Sequence, residues 1–218
     1  MALLFPRIPV CAYCGQELPA GEVCSKCEKL LERYALFGRA QYPFDCCGAY
    51  HYNQLASWLI QSFKFEDSRW LADYIARQIW RAVQGERFDA LCFVPLHRKR
   101  LAQRGFNQAR LLAEKLAQLS GLPCLDVLQR IRDTKTQSHL PHAERRENVR
   151  GAFILHPGSE KQLRDRRMLL VDDVITTGAT ISDCAELLKQ AGAQVLCAAF
   201  AVAAPAVPEK SNAGKLFF

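Results

Sequence analysis

The chain has 218 residues, a length that suits one well-packed domain with a small appendage. Half of the residues are apolar, which excludes a mostly disordered protein. The formal net charge of +7 is moderate for this length, so the positions of the basic residues decide which partner they fit.

The N-terminal residues do not resemble a secretion signal, because only a short apolar run precedes Pro6 and Arg7. The longest uncharged apolar stretch, residues 195–207, contains Pro205 and falls short of a membrane span. We therefore expect a cytoplasmic protein that is not an integral membrane protein.

Two Cys-x-x-Cys pairs stand near the N-terminus, Cys11 with Cys14 and Cys24 with Cys27, separated by nine residues. Four thiolates in two such pairs match a tetrahedral structural Zn²⁺ site. In a reducing compartment zinc is favoured over disulfides, and a redox role for one pair would leave the other without a purpose. Cys46 and Cys47 are adjacent and therefore poor joint ligands, although one of them could substitute for a cysteine of the two pairs. The cysteines that lie in apolar runs are most simply core residues: Cys92, Cys124, Cys184 and Cys197.

The residues after the cysteine pairs show helical and strand patterns in turn. The predicted elements are a helix over 27–37, a strand over 46–52 and helices over 54–65 and 69–83. Asn53 is placed to cap the first of the latter two helices, and Asp67 or Ser68 to cap the second.

From residue 90 onward apolar strands alternate with helices. Strands are predicted over 90–95, 124–131, 151–155, 168–171 and 195–203, and helices over 107–121 and 180–192. Fully apolar strands separated by helices indicate an α/β fold, with a mostly parallel sheet flanked by helices.

A basic segment, "VPLHRKRLAQRGFNQARLLA" over 94–113, follows the strand at 90–95. Its cations point to an anionic partner, either phosphate or nucleic acid. Phe106 could stack on a base, as aromatic residues do in single-stranded nucleic acid sites, or could anchor the helix as a core residue.

The segment "MLLVDDVITTGAT", residues 168–180, ends an apolar run on Asp172 and Asp173. In open parallel sheets ligands bind at the carboxyl ends of strands, and a glycine turn at a helix N-terminus cradles phosphate. Paired carboxylates accept hydrogen bonds from vicinal hydroxyls, directly or through Mg²⁺. A phosphate and a diol together describe a ribose 5-phosphate. The alternatives are an acidic Mg²⁺ site of the receiver-domain type and plain loop chemistry.

This segment resembles the phosphoribosyl pyrophosphate (PRPP) binding motif of type I phosphoribosyltransferases. The resemblance implies that Asp172 and Asp173 contact the ribose hydroxyls, with Mg²⁺ bound alongside PRPP. It also implies that the turn wraps the 5-phosphate through Thr176, Thr177, Gly178, Ala179 and Thr180.

In the same resemblance, the loop after the first strand holds pyrophosphate, which by position implies Leu96, His97 and Arg98. The basic residues exceed what one pyrophosphate needs, so the candidates for binding single-stranded DNA are Lys64, Lys99, Arg100 and Arg104.

The long polar stretch over 132–150 sits where type I enzymes carry a flexible loop that closes over the reaction centre. Its candidates for reaching an anionic substrate are Gln137, Arg145, Arg146 and Asn148. The alternative is a surface loop with no catalytic part.

Taken in order, the cysteine pairs, "FKF" at 63–65, "VPLHRKRLAQRGFNQA", "TQSHLPHAERRENVRGAF" and "LLVDDVITTGAT" resemble the ComF family (ComFC/GntX-like) of bacterial competence and DNA-utilisation proteins. Membership implies a role in natural transformation or in handling incoming single-stranded DNA, with the DNA-uptake machinery or a helicase-like protein as partner. The implied domains are a zinc-finger module over 1–40, a helical hood or connector over 41–87, a phosphoribosyltransferase-like domain over 88–204 and a tail over 205–218.

Two functions remain open at this point. One is a Mg²⁺-dependent phosphoribosyltransferase, a glycosyltransferase using PRPP, that acts on a small nucleobase-like acceptor. The other is a DNA-binding protein in which PRPP is a regulator or a relic. The sequence shows a donor site but no recognisable acceptor pocket, and we assign no catalytic residue.

Overall fold

The computed structural model describes residues 10–18, 22–64, 68–133 and 150–203. In chain order its elements are α1 (Ser25–Glu32), β1 (Ala35–Arg39), β2 (Cys46–His51), α2 (Gln54–Ser62), α3 (Leu71–Val83), β3 (Ala90–Phe93), α4 (Arg98–Arg104), α5 (Gln108–Ser120), β4 (Leu128–Arg130), β5 (Phe153–Leu155), α6 (Glu160–Leu163), β6 (Arg167–Ile175), α7 (Ala179–Gln190) and β7 (Gln194–Val202).

The main sheet has five strands in the order β1-β2-β7-β6-β3. Strands β2, β7, β6 and β3 are parallel, and β1 pairs antiparallel with β2 at one edge. All four residues of β3 are buried, as is all of β7 after its first residue, which explains their continuous apolar sequences. The predicted α/β fold with a mostly parallel sheet is therefore confirmed.

Helices cover this sheet. Helix α3 packs against β1, β2 and β7, and α5 packs against α3, β3 and β6. Helix α7 packs against β6 and β7. The predicted cap Asn53 holds the start of α2, and Asn107 does the same for α5, because each side chain accepts a hydrogen bond from a backbone N–H in the first turn.

Several sequence-based boundaries are wrong. The helix predicted over 27–37 ends at Glu32, because the chain turns at Tyr34 and residues 35–39 pair with β2 as an edge strand. Helix α3 begins at Leu71 with no side-chain cap, so Ser68 does not cap it, and Asp67 lies outside the described residues.

The strands predicted over 124–131 and 151–155 do not become strands of the main sheet, although Cys124 forms an isolated parallel bridge with Leu91 of β3. They shrink to β4 and β5, which pair antiparallel as a separate two-stranded sheet. Their alternation of buried and exposed residues, seen in β4, suits a strand with one wet face rather than a buried central strand.

One apolar core joins the sheet, the helices and the N-terminal region. Ala12 and Leu31 belong to the same buried cluster as the sheet residues, whereas Cys11, Cys24 and Cys27 form a small cluster of their own. Within the described ranges, no helix is both long and apolar enough to span a bilayer.

Candidate functional site

A cleft of about 640 Å³ opens at the carboxyl ends of β2, β7, β6 and β3. We call it the main cleft. The sheet order places the end of β6 at its centre, the end of β3 on one side and the end of β2 on the other. This edge is where open α/β sheets bind their ligands.

The predicted phosphate turn lies at the centre of the main cleft. Its floor and rim include all seven residues predicted from the motif: Asp172, Asp173, Thr176, Thr177, Gly178, Ala179 and Thr180. Strand β6 runs past the two aspartates to Ile175, so both are strand residues and the turn itself is only residues 176–178. Helix α7 begins directly after this turn, and its N-terminus therefore faces the cleft, which favours an anion there.

Gly178 is required by the shape of this turn. Its φ of +74° lies in the left-handed region, where a side chain is strained. A Cβ at this position would also come within 2.8 Å of the Phe44 ring. The turn can therefore keep this conformation and this packing only with glycine.

Two aromatic side chains of the β1–β2 connection contact the turn over 176–178 and hold it in place. The Tyr42 hydroxyl donates to the Thr176 carbonyl and lies 2.9 Å from the Ala203 carbonyl at the end of β7. Phe44 packs beside Tyr42, with ring centroids 5.2 Å apart, and its own ring contacts Gly178. The turn is thus fixed to both the edge hairpin and β7, and the sequence patterns point to neither aromatic residue.

The two carboxylates are held close together. The Asp173 amide donates to Asp172 Oδ1 at 2.8 Å. Burial raises the pKa of Asp172 well above its usual range, the neighbouring Asp173 raises it further, and Lys64 opposes the shift. A diol or a cation that stabilised the ionised form would relieve this cost. Carboxylate oxygens are ligands that Mg²⁺ prefers, so the pair fits the predicted cation as well as ribose.

Four basic side chains line the main cleft: Lys64, Arg100, Arg104 and Arg130. Arg104 donates to Gln108 Oε1 at 2.7 Å, and burial lowers its pKa. Arg130 is only 8% exposed, and burial together with the charge of Arg100 lowers its pKa. Clustered, partly desolvated cations are stabilised by a bound anion, so the main cleft suits phosphate groups.

Arg130 is a site residue that the sequence did not reveal. It lies in β4, outside the basic segment, and its side chain lines the main cleft although β4 pairs with β5 outside the main sheet. Its only signal in the sequence is that a charged residue stands two positions after Leu128, on the face of a short strand where an apolar residue is expected.

Not all of the binding residues predicted in the basic segment over 94–113 line the main cleft. Of the predicted pyrophosphate loop, Leu96 lines the main cleft, whereas His97 and Arg98 line an adjoining cavity of about 620 Å³. His97 is buried and caps α4, a helix that the sequence did not predict, by accepting from the Lys99 amide at 3.4 Å. Lys99 points outward, 3.6 Å from Asp133.

Phe106 has a core role. It is 5% exposed, packs edge-on against Phe63 at 5.8 Å, and carries the Arg69 guanidinium over its ring at 4.7 Å. Its ring face is therefore covered. The flexible-loop candidates Gln137, Arg145, Arg146 and Asn148 and the predicted tail lie outside the described residues.

The four N-terminal cysteines converge. The sulfur atoms of Cys11, Cys14, Cys24 and Cys27 all lie within 4.8 Å of one another. The sulfurs of Cys14 and Cys24 are 3.8 Å apart. A tetrahedral Zn²⁺ with Zn–S bonds of about 2.3 Å separates its sulfurs by about 3.8 Å, so the cluster fits a metal.

Backbone amides support the thiolate form of Cys11, whereas burial and the neighbouring cysteines raise the pKa of Cys27. The Cys24 N–H points at the Cys11 sulfur at 3.3 Å, and the Cys27 N–H at the Cys24 sulfur at 3.5 Å. Burial opposes ionisation of Cys11, but N–H groups of Cys14 and Cys24 outweigh it and lower its pKa to about 6. Thiolates are the form that ligates metals.

Comparison with known proteins finds a matching domain family and relatives over most of the chain. Residues 101–217 match the phosphoribosyl transferase domain. The chain is 33% identical to Competence protein F of Haemophilus influenzae, over 85% of this chain and 81% of the relative. It is also 33% identical to the DNA utilization protein YhgH of Salmonella typhi, over 88% of this chain and 84% of the relative.

Among solved structures, a purine phosphoribosyltransferase from Pyrococcus horikoshii aligns with 61% of this chain and 73% of its own. The TM-score is 0.39 and the identity is 18%.

Proposed function

The chain belongs to the ComF family of competence and DNA-utilisation proteins and carries a phosphoribosyl transferase domain, and from this premise we propose that it binds PRPP with Mg²⁺ and grips single-stranded DNA during natural transformation. The observation that carries the proposal is the main cleft, where a carboxylate pair, a glycine turn at a helix N-terminus and four cations converge. Handling of incoming DNA takes place inside the cell, so a cytoplasmic location is part of the proposal.

Each part of PRPP has a matching group in the main cleft. The 5-phosphate fits the turn over 176–178 and the N-terminus of α7. The ribose hydroxyls fit Asp172 and Asp173, which would also hold Mg²⁺. The pyrophosphate fits the cations on the β3 side, of which Arg100 and Arg104 come from α4. Bound Mg²⁺ would neutralise part of the charge that PRPP brings into the cleft.

Single-stranded DNA is proposed because the cations exceed one pyrophosphate and continue beyond the main cleft. Arg98 lines the adjoining cavity, which shares Arg130 and Leu96 with the main cleft, whereas Arg110 on the same wall is already paired with Glu114 at 2.8 Å. A basic groove that tracks a phosphate backbone is typical of sequence-independent binding to single strands. We place the DNA-uptake machinery or a helicase-like protein as the partner that delivers the strand.

The second candidate function is a Mg²⁺-dependent phosphoribosyltransferase with a nucleobase-like acceptor. The complete set of PRPP-matching groups in the main cleft favours it. Release of pyrophosphate from PRPP on addition of DNA or of a free base would separate this function from binding alone.

Calorimetry tests the PRPP site. We expect wild-type protein to bind PRPP only with Mg²⁺ present, and the Asp172→Asn/Asp173→Asn double variant to lose at least about tenfold in affinity, because charge-assisted bonds of about 1.5–3 kcal/mol disappear. The control is Asp165→Asn, an exposed aspartate at φ +60°, a conformation that asparagine tolerates. Equal affinity in the double variant, or no binding by wild type, would overturn the proposal.

The salt dependence of DNA binding tests whether the arginines of α4 contact a DNA strand. Arg100→Ser/Arg104→Ser should weaken binding of an oligothymidylate and reduce the slope of log affinity against log salt by about 0.7 for each phosphate that the variant no longer neutralises. Arg166→Ser is the control, since Arg166 is exposed and precedes β6, at the opposite end of the sheet. An unchanged slope in the double variant would mean that these arginines do not bind DNA.

A further inference from the structure

The main cleft and the adjoining cavity meet at a common boundary, which we call the partition. Among the described residues, those that line both spaces are Pro95, Leu96, Asn107 and Arg130. The other arginines are divided between the two spaces: helix α4 presents Arg98 to the adjoining cavity, and Arg100 and Arg104 to the main cleft. The Arg130 guanidinium is therefore a cation shared by two spaces of about 640 and 620 Å³ that also have cations of their own.

Packing holds the Arg130 side chain in the partition. The residue is 8% exposed, and its guanidinium carbon lies 5.3 Å from the centroid of the Phe153 ring. Phe153 pairs with Arg130 across β4 and β5, so the two side chains lie on the same face of that small sheet. The Nε atom of Arg130 is shielded from solvent. A ligand can therefore approach only the Nη end of the guanidinium.

The backbone of the partition is fixed by Asn107. Its side-chain amide donates to the Val94 carbonyl at 3.1 Å, and its Oδ1 accepts from the Arg110 amide at 3.3 Å. The end of β3 and the N-terminus of α5 are thus tied together at a residue that is itself buried. Because this backbone is held in place, a ligand in one space influences the other mainly through the orientation of the Arg130 guanidinium.

Charges around the partition already act on Arg130. Burial lowers its pKa, the charge of Arg100 lowers it further, and the carboxylates of Asp172 and Asp133 oppose the shift. Asp172 belongs to the carboxylate pair of the main cleft, whereas Asp133 follows β4 and lies 3.6 Å from Lys99. A partly desolvated guanidinium in this position is stabilised by an oxyanion from either side.

We propose that PRPP with Mg²⁺ and single-stranded DNA weaken each other's binding, because Arg130 can serve only one of them at a time. The proposal rests on the proposed function and adds how its two ligands regulate each other. A guanidinium makes its strongest contact when two parallel N–H bonds reach one phosphate group, and Arg130 has one end available for this. A phosphate bound in the main cleft would turn that end away from a strand in the adjoining cavity, and a strand would do the converse.

The antagonism must be reciprocal. If PRPP lowers the affinity for DNA by some factor, DNA lowers the affinity for PRPP by the same factor. The effect also has a limit, because the ligands occupy different spaces and the loss ends once Arg130 is fully engaged. Direct competition for one space would have no such limit. Protein with PRPP bound would therefore hold a strand less tightly without excluding it.

Fluorescence anisotropy of a labelled oligothymidylate, measured with the full-length protein, tests this antagonism. We expect saturating Mg²⁺ and PRPP to weaken oligonucleotide binding to a plateau of at least about fivefold, and calorimetry to give the same factor for PRPP when the oligonucleotide is saturating. Because DNA binding depends on salt, the reference titration contains Mg²⁺ and sulfate at the same ionic strength. In Asp172→Asn/Asp173→Asn, the same concentration of PRPP should lose most of its effect on the oligonucleotide.

Variants that differ in the space they line identify the residue responsible. Arg130→Gln removes the shared cation and should cut the coupling factor to less than half of its wild-type value. Arg130→Lys should do the same, because an ammonium group keeps the charge but cannot make the bidentate contact. Arg98→Gln is the matched control: it removes a cation that lines the adjoining cavity and not the main cleft, so DNA binding weakens while the coupling factor stays within about 1.5-fold of wild type.

Failure of this inference is distinct from failure of the proposed function. If wild-type protein binds both ligands but their affinities are independent, or if the weakening grows with PRPP concentration without a plateau, the inference is wrong and the two binding activities stand. The inference is also wrong if the coupling factor is unchanged in a folded Arg130 variant. If wild-type protein binds no PRPP or no DNA, the proposed function itself is wrong.

Discussion

Asp172 carries a carboxyl group whose charged form is opposed by its surroundings in the folded chain. Burial and the adjacent Asp173 raise the pKa of its carboxyl group in the folded chain. The folded chain therefore holds this proton more tightly than the unfolded chain does. The free energy of unfolding must then fall as pH rises from the ordinary carboxyl range through the raised pKa, because the native state binds more protons in that interval.

Removing this charge should stabilise the unliganded protein. We expect Asp172→Asn to raise the free energy of unfolding by about 1 kcal/mol near neutral pH, or roughly 2–4 °C in Tm for a chain of this length. The asparagine oxygen can still accept the Asp173 amide hydrogen bond. Scanning calorimetry at several pH values checks this, with a flatter pH dependence expected in the variant. A variant less stable than wild type at neutral pH would contradict it.

At the scale of single residues, the sequence predicts those site residues whose position depends only on their own contiguous segment. The aspartate pair and Gly178 sit in a contiguous segment whose backbone shape depends on its own residues, and the structure brings all of that segment to the cleft. Arg130 and Tyr52 could not be found this way. Each reaches the cleft because its strand pairs with a segment distant in the chain, β4 with β5 and β2 with β7, which no short pattern encodes.

The element that matters most to the site is the β1–β2 connection. The sequence does not predict strand β1, because its residues continue an apolar pattern of helical spacing. Its pairing with β2 nevertheless places Tyr42 and Phe44, which lie between the two strands, against the turn at Gly178. The start of α2 is easier to predict, because the cap residue Asn53 marks it in the sequence as in the structure.

The contacts of the Tyr42 hydroxyl predict that this residue positions the turn over 176–178. Tyr42→Phe keeps the ring but removes the hydroxyl that bonds the Thr176 carbonyl and contacts Ala203. We expect a loss of stability of about 1 kcal/mol and, in addition, about a threefold to tenfold loss of PRPP affinity, because the turn must be ordered when the phosphate binds. Calorimetry with PRPP measures the second effect. Tyr34→Phe is the control, and equal PRPP affinity in both variants would limit Tyr42 to a structural role.

At the scale of the whole molecule, the cysteine cluster and the sheet are joined through a common core. Leu31 of α1 is 1% exposed and packs in the same apolar cluster as the sheet, as does Ala12 between the first two cysteines. The Arg77–Glu22 ion pair, at 2.9 Å, links the N-terminal region to α3 on the surface. Such contacts couple the stability of the two regions, although the sequence predicts a module boundary near residue 40.

Removal of the proposed Zn²⁺ should therefore lower the stability of the whole chain. Metal binding to a site that exists only in the folded state stabilises that state, so a chelator should shift the thermal transition to lower temperature by several degrees. Because α1 shares the main core, we expect one transition that moves rather than a separate loss of the N-terminal region. Scanning calorimetry with metal analysis measures both, and Cys14→Ser should lose the metal while Cys124→Ser, outside the cluster, retains it. Two separated transitions after chelation would show instead that residues 1–40 fold as an independent module.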